Sequence, residues 1–123
     1  MRQSFPKIEK LTNQKVIEQL FEEGKSLKKF PIKLLYVPIE NKDTHLPKVA
    51  FSVPKRAFKL AVTRNKLKRR LREVYRKNKA EMLPNHQNYA IMFIYLGNKV
   101  FAYAEIEKAM LDLLTIFIEK EKS

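Results

Sequence analysis

The sequence predicts a single α+β domain, an α-β sandwich in which three helices pack against one sheet. Three observations lead to this prediction: helical stripes of apolar residues near both ends, short apolar runs between them, and the resulting order α-β-β(-β)-α-β-α. Of the 123 residues, 45% are hydrophobic, which is enough for one core in a domain of this size. The sequence contains no repeat, low-complexity tract or linker, so we expect residues 1–123 to form one domain.

The first helix is predicted over residues 12–23, because apolar side chains recur there at helical spacing. Thr12 or Asn13 can cap its N-terminus, and Gly24 can end it. Residues 1–10 precede this helix as an N-terminal extension.

Short runs rich in branched and aromatic residues predict the strands of the sheet. Residues 31–39 form the first long run and residues 48–53 the second, with a polar turn between them. Residues 88–96 are apolar at nearly every position, as expected for a strand covered on both faces. The segment 25–30, before Pro31, could add a short edge strand.

Two further helices complete the predicted fold. Residues 61–79 form a strongly basic helix, and residues 105–120 form a last helix with one apolar stripe. The basic helix connects the strands at 48–53 and 88–96, and such a crossover is right-handed on general grounds.

The charge of the chain is large and unevenly distributed. Twenty-six Lys and Arg residues against 13 Asp and Glu give a net charge of +13. Between Thr44 and Ala80, basic side chains accompany a single acid, Glu73, whereas the first and last helices carry acids as well. A segregated positive face of this kind indicates a polyanionic partner.

Composition also argues against several classes of protein. The absence of cysteine excludes disulfides and thiolate metal sites. No apolar run approaches the ~20 residues of a membrane span, and Met1–Leu11 lacks the apolar core of a secretory signal. The only glycines, Gly24 and Gly97, offer no phosphate-cradling loop, and His45 and His86 have no metal-binding companion at useful spacing. We therefore expect a cytoplasmic protein with no catalytic residue and no metal site of its own.

A helical wheel divides the basic helix into two arcs. The apolar arc, which should pack on the sheet, consists of Leu67, Leu71 and Val74, with Tyr75 on its margin. The polar arc beside it consists of Lys68, Arg72, Asn65, Arg76 and Arg69, with Arg64 at the border. Positions 64, 68, 72 and 76 form a ladder of like charges, which destabilises an isolated helix by a few tenths of a kcal/mol per pair. Neutralisation by phosphates would explain why the sequence tolerates this repulsion.

A nucleic acid explains the polar arc better than a solvated face or a membrane surface does. Solvated helices usually mix both signs of charge, and a membrane-surface helix would need its apolar arc and bulky interfacial anchors at the lipid. Asn65 could read a base edge in DNA, whereas the surrounding Lys and Arg suit phosphate contacts with folded RNA. The charge pattern alone leaves DNA and RNA open.

Three parts of the chain resemble one known family, the bacterial ribonuclease P protein subunit. The segment Arg64–Glu73, RNKLKRRLRE, is similar to the family's RNR signature, R-N-[RK]-x-K-R-x-x-R-[EQ]. Val49–Arg56 resembles the strand and basic turn that precede the signature, and Ile17–Phe21 followed by Gly24–Ser26 resembles the family's first helix and its exit. These parts keep the family's order, and the likeness runs from about Lys7 to the last helix.

The resemblance implies a function and a detail of the fold. The protein would be the cofactor of an RNA enzyme that removes 5′ leaders from precursor tRNA and would lower its Mg²⁺ requirement. Catalysis and the Mg²⁺ ions would belong to the RNA. Its partners would be the ribonuclease P RNA and the precursor tRNA leader, with no membrane and no small-molecule substrate. The fold would be a ribosomal-protein-like domain with a left-handed crossover, in place of the right-handed one expected in general.

The resemblance also implies roles for individual residues. The implied RNA-binding positions are Lys55, Arg56, Arg64, Asn65, Lys68, Arg69, Arg72 and Arg76. A separate cleft between the sheet and the first helix would hold the leader, and its implied positions are Ile17, Phe21, Leu35, Tyr36 and Ser52. Leu35 and Tyr36 are adjacent in one strand, and either could face the cleft. The place of Phe21 on the apolar stripe of its helix favours a core role by itself, and Glu73 is expected to orient a neighbouring Arg or Lys.

Two alternative functions compete with this one. A general RNA-binding or ribosome-associated protein would present the same basic face without any role in tRNA cleavage. An independent metal-dependent nuclease would need carboxylates that converge on metal ions, and the basic region has almost none.

Overall fold

The computed structural model describes residues 10–41, 46–83 and 86–121. Its elements are α1 (Gln14–Glu23), β1 (Lys25–Lys29), β2 (Ile32–Pro38), β3 (Lys48–Ser52), α2 (Ala61–Met82), β4 (Tyr89–Tyr95) and α3 (Tyr103–Lys120). The predicted order is confirmed, including the possible edge strand, which is β1. Most of the predicted N-terminal extension, residues 1–9, and part of the predicted turn with His45 lie outside the described residues.

The first helix begins at Gln14, two residues later than predicted, and ends at Glu23 as predicted. The side chain of Asn13 accepts hydrogen bonds from the backbone N–H of Lys15 at 2.9 Å and of Val16 at 3.3 Å, so Asn13 is the N-cap. At the other end, the N–H of Gly24 donates to the carbonyl of Leu20 at 3.1 Å. A Cβ at position 24 would collide with that carbonyl oxygen, so glycine allows the chain to turn directly into β1.

The four strands form one sheet in the order β1-β2-β4-β3. β1 pairs with β2 and β2 with β4 in antiparallel fashion, whereas β3 runs parallel to β4. A parallel pair needs a crossover connection, and α2 supplies it. The left-handed sense of this crossover stays a prediction. At the outer edge of β3, Lys10 forms a bridge with Val49.

Each face of the sheet has its own layer. On what we call the two-helix face, α2 and α3 cover a large apolar cluster that contains buried aromatic side chains from the strands and both helices, among them Tyr36, Tyr75, Phe93, Tyr95 and Phe117. On the opposite face, the α1 face, a smaller buried cluster consists of Leu11, Leu20, Leu35, Val37, Ala90 and Met92. β4 contributes to both clusters, which confirms that this strand is covered on both faces.

Candidate nucleic-acid interface

The apolar arc of α2 is completely buried, as predicted. Leu67, Leu71, Val74 and Tyr75 are each 0% exposed. The ring of Tyr75 lies 5.9 Å from that of Phe51 on β3, measured between centroids. Burial of this arc sets the rotation of α2 about its axis, so the polar arc must face away from the sheet.

The polar arc forms one surface, which we call the basic face of α2. Its members are Arg64, Asn65, Lys68, Arg69, Arg72 and Arg76. Asn65, Arg69 and Arg72 are exposed, whereas the other three are half-buried. Lys55 and Arg56 are exposed in the turn after β3, where the carbonyl of Pro54 accepts the N–H of Ala57 at 3.2 Å.

Arg64 has a structural role that sequence reasoning missed. Its Nη1 donates to the carbonyl of Phe58 at 2.7 Å and to that of Lys59 at 2.9 Å. Leu60, the N-cap of α2, provides no side-chain cap, so this guanidinium ties the incoming loop to the first turn of the helix. Because a guanidinium has five N–H donors, Arg64 keeps donors for a phosphate.

The one acid of the basic region orients an arginine, as expected. Glu73 accepts hydrogen bonds from Arg76, with 3.1 Å between Nε and Oε1 and 2.8 Å between Nη2 and Oε2. This hydrogen bonding lowers the pKa of Glu73 and raises that of Arg76. Glu73 therefore stays ionised, holds the Arg76 side chain in place and neutralises part of its charge.

Two basic side chains on the rear of α2 contact residues at or just before the start of α3. The Nη1 of Arg70 donates to the carbonyl of Phe101 at 2.6 Å. The ammonium of Lys77 lies 5.3 Å from the centroid of the Tyr103 ring. The wheel placed both residues outside the polar arc, but it gave no sign of these partners.

The predicted cleft lies on the α1 face, and the strand register decides between its two candidate residues on β2. Leu35 belongs to the α1-face cluster and is 6% exposed. Tyr36 points to the other face, is 2% exposed, and donates its hydroxyl to Glu121 Oε2 at 2.8 Å. The assignment of Tyr36 to the cleft is therefore wrong, because successive side chains of a strand point to opposite faces.

The remaining predicted cleft residues lie on the α1 face. Ile17 packs half-buried against the cluster there. Ser52 is half-buried, and strand alternation places it on the same face as Ala50. Phe21 is 61% exposed, so the interpretation of its ring as part of the core is wrong. Sequence reasoning missed Ile94, a half-buried residue of β4 on this face.

The basic face of α2 and the α1 face of the sheet meet at the edge of β3. There, Arg72 lines a depression together with Thr12, which precedes α1, and with Ala50 on β3. The two predicted binding surfaces are therefore neighbours, and a ligand could pass from one to the other around β3.

The part of the chain that the structure describes contains no cluster of metal-binding side chains. Within residues 10–41, 46–83 and 86–121, no three His, Cys, Asp or Glu side chains come together in a group that could hold one. His86 lies beside the rings of Tyr89 and Phe117. None of the described helices has the length and apolar character needed to cross a membrane.

A small α+β protein with one strongly basic helical face belongs to the polyanion-binding class. A family model identifies the chain more specifically than this class does. The model is described as "Ribonuclease P" and matches residues 5–117. The chain belongs to this family of ribonuclease P proteins. Its function is accordingly that of a protein cofactor in the maturation of tRNA 5′ ends, as a subunit of an endoribonuclease.

Individual relatives agree with this assignment. The chain is 32% identical over 108 residues to a "Ribonuclease P protein component" of Porphyromonas gingivalis, with 85% of this chain and 79% of the relative covered. A protein of the same description from Alkaliphilus metalliredigens is 31% identical over 106 residues, with coverage of 85% and 89%.

Solved structures of the family share the fold. The ribonuclease P protein from Thermotoga maritima matches with a TM-score of 0.72 and 25% identity, covering 88% of this chain and 96% of that one. The Staphylococcus aureus protein matches with a TM-score of 0.71, 22% identity and coverage of 89% and 94%. At 22% identity, the second likeness supports the fold alone.

Proposed function

We propose that the basic face of α2 binds the RNA subunit of ribonuclease P, that Lys55 and Arg56 add phosphate contacts, and that the α1 face holds the 5′ leader of precursor tRNA. The observation that carries this proposal is the charge sorting on α2. Its apolar arc is fully buried, its polar arc is basic, and Glu73, the one acid between residues 44 and 80, is already paired with Arg76.

Phosphate neutralisation gives this charge sorting a physical reason. A ladder of like charges is unfavourable in the free protein, and RNA phosphates remove that repulsion while releasing their own counterions. The A-form major groove is too narrow for side chains to read. The basic face therefore suits recognition of the shape and phosphate positions of a folded RNA.

The proposal assigns the chemistry to the RNA subunit. The described residues gather no carboxylate or histidine cluster for a cation, so the Mg²⁺ ions are assigned to the RNA, and the protein binds and orients. Positive charge at the RNA surface offsets phosphate repulsion that cations would otherwise screen, and the protein should lower the Mg²⁺ requirement for this reason. The proposal keeps the cytoplasmic location that the sequence led us to expect.

Reconstitution with the cognate RNA subunit tests the function directly. We expect the protein to be inert alone and to shift the Mg²⁺ titration of precursor tRNA cleavage to lower concentrations. Lys120→Ala, which removes one exposed lysine from α3, should behave as the unmodified protein. An identical titration with and without the protein would refute the proposal.

Two further outcomes would favour the competing functions. Equal affinity of the reconstituted enzyme for precursor tRNA with and without its leader would favour a general RNA-binding protein. Cleavage by protein stripped of all RNA would favour an independent nuclease.

The salt dependence of RNA-subunit binding tests the assignment of the basic face. Arg72→Ala or Lys68→Ala should each lower the magnitude of the slope of log K against log salt by about one unit. Arg76→Ala should lower it less, because Glu73 already neutralises part of that charge. Slopes unchanged by the first two substitutions would show that these side chains do not contact phosphate.

A further inference from the structure

One end of the sheet combines basic residues with an absence of acids. Three connections meet there: the turn between β1 and β2 at residues 30–31, the loop 53–60 before α2, and the loop 96–102 before α3. The strand register brings them together, because Ile32 lies opposite Tyr95 and Ser52 lies opposite Ile94. The three connections contain four basic residues and no Asp or Glu. We call this part of the molecule the basic end of the sheet.

Exposed apolar side chains gather at the same end. Among the described residues, five large apolar side chains are exposed, and four of them lie at or beside the basic end: Phe30, Leu60, Val62 and Val100. Exposure forgoes the free energy that burial of such side chains provides. An exposed apolar patch that is rimmed by polar side chains marks a binding surface, and here the rim is basic.

The loop between β4 and α3 is held in one conformation by side chains from two elements. The hydroxyl of Tyr95 donates to the carbonyl of Lys99 at 2.7 Å and accepts the N–H of Phe101 at 2.9 Å. From α2, the Nη1 of Arg70 donates to the carbonyl of Phe101 at 2.6 Å. The loop is therefore ordered before any ligand binds, which reduces the entropy cost of binding.

The ring of Phe101 joins this loop to the turn between β1 and β2. It lies 5.5 Å from the ring of Phe30, edge to face. A Cβ at position 97 would come within 2.7 Å of the same ring, so Gly97 allows the ring to lie against the loop. The ammonium of Lys99 lies 5.0 Å from the ring centroid. Phe30 and Lys99 thus both contact Phe101, which brings an exposed ring and a cation close together.

A row of side chains on α2 connects the basic end to the basic face of α2. Val62, Lys66 and Arg70 are four residues apart, so they are neighbours on the helix surface. Lys66 is also three residues from Arg69 of the basic face, and Arg70 contacts Phe101. Val62 and Lys66 are exposed. An RNA that binds the basic face can therefore continue across this row to the basic end.

The charge around Phe30 favours a nucleic acid over a protein partner. Lys29 and Lys99 are both exposed, and neither forms an ion pair with a described residue. Lysine is depleted in the cores of protein–protein interfaces. Unpaired bases of RNA, in contrast, stack on aromatic rings while lysines bind the adjoining phosphates.

Two acids lie on the α3 side of Phe30, where Glu105 and Asp112 line a depression with its ring. Each has a role within α3. The ammonium of Lys108 lies 3.1 Å from the carboxylate of Asp112, and Glu105 belongs to the first turn, where a carboxylate stabilises the helix N-terminus. A bound RNA would therefore lie on the other side of Phe30, towards Lys99.

We propose that Phe30, Lys29 and Lys99 form an accessory site for an unpaired segment of the RNA subunit, an inference that rests on the proposed function of the basic face. A base of this segment stacks on the ring of Phe30, and the two lysines bind the phosphates that flank it. The RNA subunit is the partner because the row of Val62 and Lys66 leads from its proposed binding face to this site. The site is separate from the α1 face, to which the leader is assigned.

The first test measures the affinity of the protein for the RNA subunit alone, without precursor tRNA. Phe30→Ala should weaken binding between about 5-fold and 150-fold, as expected for the loss of one stacked base. Phe30→Tyr should retain the affinity, whereas Phe30→Leu, which is apolar but cannot stack, should lose it as Phe30→Ala does. The matched control is Phe21→Ala, because that ring is 61% exposed but lies on α1. It should leave the affinity for the RNA subunit unchanged.

The salt dependence of the same equilibrium tests the phosphate contacts. Lys99→Ala should lower the magnitude of the slope of log K against log salt by about 0.7, the contribution of one phosphate of a single strand. Lys99→Arg should restore the slope. Lys120→Ala, which removes an exposed lysine from α3, should leave it unchanged.

Chemical modification of unpaired bases in the RNA subunit locates the contact. The unmodified protein should protect at least one unpaired base that Phe30→Ala leaves reactive. Bases whose protection is lost with Arg72→Ala should remain protected by the Phe30→Ala protein, because the two substitutions affect separate contacts.

Each contrary result has a distinct meaning. If Arg72→Ala weakens binding of the RNA subunit and Phe30→Ala does not, the accessory site is wrong and the proposed function stands. Equal losses from Phe30→Ala and Phe21→Ala would also overturn the site, because exposed aromatic area in general would then explain them. An effect of Phe30→Ala on precursor affinity alone would refute the assignment to the RNA subunit. If the unmodified protein does not bind the RNA subunit, the proposed function itself is refuted.

Discussion

On the two-helix face, the strands lie beneath helices of 22 and 18 residues, and their aromatic side chains are buried. On the α1 face, the same strands are crossed by a helix of 10 residues, and the row that contains Lys33 and Ile94 stays open. Helices of those lengths span about 33, 27 and 15 Å. The comparison shows how helix length can give the two faces of one sheet different roles. Long helices on one face provide stability, and a short helix on the other face leaves room for a ligand.

The largest expected effect tests the stabilising role of the two-helix face. The ring of Phe117 is 0% exposed and lies 4.8 Å from that of Tyr36 and 5.2 Å from that of Tyr89. Phe117→Ala should therefore lower the free energy of unfolding by about 3–5 kcal/mol, measured by urea denaturation. Ile94→Ala, at a half-buried position of the α1 face, should cost clearly less. Equal losses of unfolding free energy from the two substitutions would show that the two-helix face does not contribute more to stability than the α1 face.

An intermediate effect tests the binding role of the α1 face. Phe21→Ala should leave the free energy of unfolding within about 0.5 kcal/mol of the unmodified value, because the ring is mostly exposed. The same variant should weaken binding of a leader-bearing precursor by about 1–3 kcal/mol, the contribution of one stacked base. The matched control is Phe30→Ala, since Phe30 is 62% exposed but lines a depression with α3.

Equilibrium binding of precursors with and without a leader gives the measurement. A loss of affinity from Phe30→Ala as large as that from Phe21→Ala would show that exposed aromatic area, and not the α1 face, matters. An unstable Phe21→Ala protein would show that this ring belongs to the core after all.

Local patterns were sufficient to predict the order of elements and the two arcs of α2. The side chains that pack α2 on the sheet recur at helical spacing over several turns, so the wheel separated Leu67, Leu71 and Val74 from the basic face without knowledge of the sheet. β1 was predicted only as a possibility, because a short strand rich in lysine has little apolar pattern.

The choice between Leu35 and Tyr36 could not be made from the apolar run that contains them. Both faces of β2 are covered there, so the strand shows no alternation, and a shift of one residue exchanges the faces. Lys33 was the available signal. A charged residue in an interior strand marks the less covered face of the sheet. Leu35 is two residues from Lys33 and therefore lies on the same face, whereas Tyr36 lies on the opposite face.

Other outcomes depended on contacts that no local pattern contains. The exposure of Phe21 follows from the path of α1 across the sheet, which its own sequence does not specify. The hydrogen bonds of Arg64 depend on the course of the loop between β3 and α2, and those of Arg70 on the loop between β4 and α3.

The smallest expected effect concerns two tyrosine hydroxyls on the two-helix face. Tyr36 and Tyr89 both donate to the carboxylate of Glu121, at 2.8 and 2.7 Å. Burial and these hydrogen bonds raise the pKa of each tyrosine to about 12, compared with about 10 in an unfolded chain. Between these values the unfolded state releases phenol protons that the folded state keeps, so stability should fall as the pH rises from 10 to 12.

Unfolding by urea at a series of alkaline pH values measures this contribution. Tyr36→Phe should cost about 1 kcal/mol near neutral pH, the net value of one hydrogen bond, and should reduce the loss of stability between pH 10 and 12. Lysines also titrate in this range, so the informative quantity is the difference between the variant and the unmodified protein. A Tyr36→Phe protein with an undiminished alkaline loss would show that this hydroxyl is not protected, and the two-helix face would then be less closed than its buried aromatic cluster indicates.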